Sequence, residues 1–278
     1  EDSRVFQEVK AFGADLKHLG EIAGSSKKAN VALVYDWENA WGYQDTEGPI
    51  NLDRPRYYDV CLQHYRPFWE QSITVDVIDL QQDISQYDLV VAPLLYMCPE
   101  SYAARVRDFV AKGGTYVTGV WSGIVNETDL CYRTGRPGPL RDVLGIWVEE
   151  SDALYPGESR QVISSTHDKA FQAVKLLDLI HDGGAEVLYT YGEDFYEGMP
   201  AVTCNSFGKG KAYYLGFHSD DDFYFDIYQD IISQTKLHSN WENALPLGVT
   251  AQIRENEDAT HTFLMNFRDE ALQIEVAN

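Results

Sequence analysis

The chain has 278 residues, 44% of them hydrophobic and 13% aromatic, which is enough to bury a sizeable core and too apolar for disorder. Forty-four acidic against 22 basic residues give a formal net charge of −22. Such a chain repels phosphate backbones and anionic headgroups, so nucleic acid and membrane surfaces are excluded as partners, and no apolar run approaches the roughly 18 residues of a membrane span.

Residues 4–23 read as one amphipathic helix, with Val5, Val9, Phe12, Leu16 and Leu19 on a single stripe and Gly24-Ser25-Ser26 ending it. From Asn30 the pattern changes. The continuous apolar run 31–35 marks a strand buried on both faces of a parallel sheet. A helix follows over about 57–71, then strands at 73–78, 88–93 and 115–120. Between the last two a helix begins with Pro99 as its first residue and ends at Gly113-Gly114. Alternating strands and helices at this spacing predict an α/β fold, an open doubly wound parallel sheet of flavodoxin-like or class I glutamine amidotransferase-like type.

Residues 121–145, rich in Gly, Pro and Arg, read as a long loop. Strands are predicted at 185–190, 201–204 and 211–216, then a helix over 222–236. A boundary falls near 240–247. Beyond it, 249–254, 260–266 and 272–276 alternate with charged turns and suggest a small antiparallel β domain.

Ligands of a doubly wound sheet bind beyond the carboxyl ends of its strands. After the first strand, Asp36-Trp-Glu-Asn-Ala-Trp41 reads as a loop of indoles and carboxylates where a phosphate cradle needs glycines, so no nucleotide, flavin or other cofactor is expected. Trp37 and Trp41 either stack on a sugar face or pack at a subunit interface or core, with packing the preferred reading. After the fourth strand, Gly119-Val-Trp-Ser-Gly123 lacks the Gly-x-Ser-x-Gly spacing of a nucleophile elbow around Ser122. Cys98 follows the third strand, as a catalytic thiol of an amidotransferase-like hydrolase does, but Met97 and Pro99 make no tight elbow. Asp220-Asp221-Asp222 read as the first turn of a helix capped by Ser219 rather than a metal site. The adjacent pairs Glu149-Glu150 and Glu193-Asp194 read as solvated. Cys61, Cys98, Cys131 and Cys204 are widely spaced, with no CxxC pair, and read as reduced thiols of a cytoplasmic protein. The Asn126-Glu-Thr128 sequon reads as accidental.

A series of segments carries a resemblance. Phe6-Gln-Glu-Val-Lys10, Val31-Ala-Leu-Val-Tyr-Asp-Trp-Glu-Asn39, Tyr65-Arg-Pro-Phe-Trp69 and Val90-Val-Ala-Pro-Leu-Leu-Tyr96 open it. Gly113-Gly-Thr-Tyr-Val117, Ser122-Gly-Ile-Val-Asn-Glu-Thr-Asp129, Pro137-Gly-Pro-Leu-Arg-Asp-Val-Leu-Gly-Ile-Trp147, Gly192-Glu-Asp-Phe-Tyr196 and Gly208-Lys-Gly-Lys-Ala-Tyr213 continue it. In this order, over residues 4 to about 217, they resemble the C-terminal half of family 42 glycoside hydrolases, the bacterial β-galactosidases.

The resemblance implies a catalytic barrel outside this stretch that binds the galactoside and hydrolyses it with retention through two glutamates, neither matched here. It implies residues 1–26 as a linker helix from that barrel, 27–243 as a flavodoxin-like trimerisation domain, and 244–278 as an incomplete C-terminal β domain. The partner it implies is a second and third copy of the chain. No catalytic or metal-binding residue is transferred. The aromatic residues Trp37, Trp41, Tyr43, Trp121, Phe195 and Tyr196 are candidates for facing a subunit or a sugar. The alternatives are a stand-alone amidotransferase-like hydrolase using Cys98 or Ser122, and a carbohydrate-binding module resting on Trp37, Trp41 and Trp121.

Overall fold

In a computed structural model, which describes residues 2–48 and 54–274, the chain opens on helix α1 (Arg4–Leu16). The Ser3 hydroxyl caps it by accepting the Phe6 N–H. The predicted single helix over 4–23 instead tightens into a 3₁₀ turn over Lys17–Ile22, where Leu19 departs from helical geometry.

By their contacts the residues divide into two units, a larger one of Ala29–Trp69 with Val75–Leu237, and a smaller one of the stretches up to Lys28, Glu70–Thr74 and from His238 on. In the larger unit, β1 (Val31–Val34) is buried at every position, as a strand covered on both faces must be. Helix α2 (Trp37–Asp45) follows directly, then α3 (Tyr57–Glu70) and β2 (Val75–Ile78). Next come β3 (Leu89–Ala92), α4 (Glu100–Lys112) and β4 (Thr115–Gly119). Pro99 is the N-cap of α4 rather than its first helical residue, its carbonyl accepting the Tyr102 and Ala103 N–H groups.

The 121–145 stretch, predicted as loop throughout, closes with the short helix α5 (Arg141–Leu144). It leads into three strands that periodicity did not pick out: β5 (Ile146–Ala153), β6 (Ser159–Ser164) and the 13-residue β7 (Ala170–Asp182). Then come β8 (Glu186–Tyr191), β9 (Pro200–Phe207), β10 (Gly210–Leu215), β11 (Phe217–His218) and α6 (Asp221–Thr235). The predicted doubly wound sheet is the parallel run β2-β1-β3-β4-β10, and it continues through β9, β8, β6, β7 and β11 as an antiparallel half, with β5 alongside β7. The result is one mixed sheet of 11 strands.

In the smaller unit, β12 (Val249–Glu255) and β13 (Thr260–Asn266) form an antiparallel hairpin. The Ser72 hydroxyl accepts the Ala251 N–H at 2.8 Å, and Asn256 donates to the Glu21 carbonyl. Of the third strand predicted over 272–276, residues 272–274 are not in a strand and the rest lies outside the described residues.

Candidate functional site

Asp36 ends the extended run after β1 by turning it into a helix. Its carboxylate accepts the Asn39 N–H at 2.9 Å and the Leu80 N–H at 3.3 Å, so it caps α2 and ties it to the loop after β2. The predicted loop 36–41 is therefore helical. Asn39, fully buried, then bonds the Leu94 carbonyl and the Met97 N–H across the carboxyl end of β3. At this end of a doubly wound sheet, where ligands usually bind, Asn39 is committed to holding the chain's own backbone.

The two residues weighed as nucleophiles are spent on structure. Ser122 is fully buried, and its hydroxyl accepts the Leu95 N–H and bonds Thr118 Oγ1 at 2.8 Å. Cys98 is also fully buried, and burial pushes its thiol well above the usual range, the opposite of what a nucleophilic thiolate needs. This removes both nucleophiles of the amidotransferase-like alternative. Gly123 is glycine for a structural reason: its φ is +66°, and a Cβ there would lie 2.2 Å from the Pro137 carbonyl oxygen.

Of the six aromatic candidates, three are corrected to core. Tyr43 is buried and donates its hydroxyl to the Pro55 carbonyl. Trp121, also buried, is boxed in by Tyr43 and Tyr96 with ring centroids 6.0 and 5.9 Å away. Tyr196 is completely buried and donates to Asp152 at 2.9 Å. Side chains enclosed by their own chain present nothing to a sugar or a subunit. Trp121 is thereby lost to the carbohydrate-binding reading.

The other three face outward. Trp37 and Trp41 are each 61% exposed, at i and i+4 on α2, with centroids 6.3 Å apart. Phe195 is 73% exposed. Trp37 continues into a surface that sequence reasoning missed: a cleft of about 380 Å³ lined by Leu33, Tyr35, Tyr58, Cys61, Leu62, Tyr65 and Val77. A signal for it was available. On α3, Tyr58, Leu62, Tyr65 and Trp69 form a second apolar stripe at helical spacing, beside the one that buries Tyr57, Cys61, His64 and Phe68.

The charged motifs assemble no reaction centre. Asp220, not Ser219, caps α6 by accepting the Phe223 N–H, because the Ser219 hydroxyl is turned to the Gln172 carbonyl. Asp221 pairs with Arg66. Glu149 bonds His181, Glu193 accepts the Gln161 N–H, and Asp194 pairs with Arg160. Among the described residues no group of three or more His, Cys, Asp or Glu side chains is arranged to hold a metal ion. No helix among them is long and apolar enough to cross a membrane.

Residues 29–238 match the family model of the β-galactosidase trimerisation domain. The chain is 44% identical to the β-galactosidase Pbg of Clostridium perfringens, over 99% of this chain and 41% of that one. It superimposes on the crystal structure of the cold-adapted β-galactosidase from Rahnella sp. R3 with a TM-score of 0.90 and 43% identity, covering 96% of this chain and 40% of that one. Gan42B, a family 42 β-galactosidase, matches with the same TM-score at 40% identity, over 97% of this chain and 39% of its own. The chain thus spans about two fifths of the length of the relatives it matches.

Proposed function

This chain belongs to the family of β-galactosidase trimerisation domains, and from that premise we propose that it is the non-catalytic, self-associating part of an enzyme that hydrolyses terminal β-D-galactosides with retention. The observation that carries the reading is the match over 29–238, a stretch in which Asn39 and Ser122 at the strand ends are committed to hydrogen bonds within the chain. In this reading residues 1–26 lead in from a catalytic barrel, 27–243 hold the copies together as a homotrimer, and 244–278 begin a small β domain. The galactoside is bound by the barrel. Trp37, Trp41 and Phe195 are the candidates that remain for contact with another copy. Four free cysteines, three of them buried, support a reducing, cytoplasmic setting.

A chimera tests the proposal. The matching C-terminal part of the Clostridium perfringens relative is replaced by this chain, and the chain is also assayed alone. The expected result is a trimeric chimera that hydrolyses a nitrophenyl galactoside, with no hydrolysis by the chain itself. Hydrolysis by the chain alone, or a monomeric chimera, overturns it.

A further inference from the structure

A closed trimer repeats one head-to-tail contact, so each copy must carry two different surfaces that fit each other. The larger unit carries such a pair. We infer that the Phe195 loop of one copy fills the aromatic cleft beside β2 of the next, an inference that rests on the self-association reading above.

The cleft is open beside β2, the edge strand, beyond which no further strand pairs among the described residues. Val77 on β2 is 61% exposed, and Tyr58 on α3 is 54% exposed. With Tyr35, Trp37, Leu62 and Tyr65 they form a nearly all-apolar concavity on a chain of net charge −22. Apolar surface gathered in this way marks an interaction site, whereas scattered exposed residues do not. Three arginines stand around it, of which Arg56 is paired with Asp59 and Arg66 with Asp221. Arg54 and Arg56 line the adjoining hollow beside Trp37 and Trp41, and Arg66 borders the cleft's other side next to Leu62 and Tyr65. Arg54 donates to the carbonyls of Tyr43, Gln44 and Thr46, so its charge has no carboxylate opposite it among the described residues.

The loop over 192–199 has the complementary form. Asp194 takes a φ of +71° and is held there, its carboxylate accepting the Phe195 N–H at 2.8 Å and pairing with Arg160 at 2.8 Å. Tyr196 anchors the next position by its buried ring, which meets Phe195 edge-on at 4.7 Å. Phe195 is thus fixed outward by both neighbours. A non-glycine residue held at positive φ to present an exposed ring is a preorganised contact, with little side-chain freedom left to lose on docking. Glu193 and Glu197, both exposed, flank Phe195 in sequence and are opposite in sign to Arg54 beside the cleft.

Topology keeps the two surfaces from satisfying each other within one chain. The loop enters β9, and β10, β4 and β3 lie between β9 and β1, which is roughly 19 Å at the usual spacing of about 4.8 Å between strands. Topology also places them on a common side. β9 runs antiparallel to β10 with Val202 opposite Leu215, so the loop sits at the carboxyl edge of the parallel strands, the edge from which Trp37 emerges after β1.

Disulfide trapping of the full chain tests this. In a Cys131→Ser background, which removes the exposed thiol, Phe195→Cys and Tyr58→Cys are introduced together and singly. The expected result is covalent dimers and trimers from the double variant under mild oxidation, and none from either single variant. Separately, Phe195→Ala is expected to raise the concentration for half-dissociation at least tenfold. A trimer whose two cysteines both react with maleimide yet never cross-link overturns this contact and leaves self-association standing. Cross-linking by Phe195→Cys alone replaces it with a symmetric contact. A monomeric parent chain removes the self-association reading itself.

Discussion

The buried carboxylate of Asp178 on β7 accepts the backbone N–H of Trp121 at 3.1 Å, joining the middle of the antiparallel half to the turn that leaves the parallel strand β4. Trp121 holds a φ of +62°, a conformation that costs a bulky residue free energy unless its surroundings fix it. The same carboxylate accepts the Tyr214 hydroxyl at 2.6 Å and the Ser151 hydroxyl, with Arg136 at 3.6 Å. One side chain thus collects donors from β5, β10 and the turn after β4.

Replacing Asp178 by Ala strands these donors in a place water does not reach. The expected loss is about 3 kcal/mol or more of unfolding free energy, with Asp178→Asn losing less because it keeps an acceptor. Urea denaturation checks this. A loss under about 1 kcal/mol means the network adds little to the β9–β10 ladder that joins the two halves of the sheet.

Gly123→Ala is expected to be costly for a different reason. A positive φ costs an L-residue about 1–2 kcal/mol, and the new Cβ would lie 2.2 Å from the Pro137 oxygen. A clear fall in Tm is expected, and an unchanged Tm contradicts the geometry of that turn.

Native thiol chemistry separates the assembly reading from the amidotransferase-like one. Cys131 is exposed, while Cys61, Cys98 and Cys204 are buried with thiols pushed up by desolvation, Cys61 to about 12. One equivalent of iodoacetamide per chain is expected before unfolding, at Cys131, as read by mass spectrometry of peptides. Rapid labelling of Cys98 would reopen the hydrolase alternative.

Two buried histidines make the fold sensitive to acid. Burial lowers His64 and His218 from 6.5 to about 3, and His64, bonded to the Tyr228 hydroxyl at 2.6 Å, is held neutral. Between about 3 and 6.5 the unfolded chain binds these protons and the folded chain does not. Their contribution is therefore fully present above about 6.5 and is lost progressively as pH falls toward 3. Acid also relieves repulsion in a chain of net charge −22, which acts in the opposite direction. The difference between wild type and His64→Gln isolates the histidine. The variant is expected to lose less stability between pH 7 and 5, and parallel urea curves contradict this.

The parallel half of the fold was legible because β1 and β3 are buried on both faces and read as unbroken apolar runs. In the antiparallel half β8 and β9 were legible, whereas β5, β6 and β7 were not. β7 carries buried Asp178 in its middle and Lys175 at a φ of +64°, so neither alternation nor apolarity marks it as a strand. α2 escaped notice because its cap is a side-chain bond from Asp36, its Trp37 and Trp41 face outward, and its buried positions are the polar Asn39 and Tyr43 rather than an aliphatic stripe. Among the aromatic candidates, composition alone could not separate Phe195, fixed outward, from Tyr196 beside it, fully buried. The difference is the positive φ of Asp194, which the sequence does not display.

Sedimentation equilibrium of the purified chain over a wide concentration range tests self-association most directly. The account predicts a species of three times the 31.5 kDa chain mass, dissociating on dilution more readily in Phe195→Ala. A single ideal species of 31.5 kDa at every concentration would contradict it.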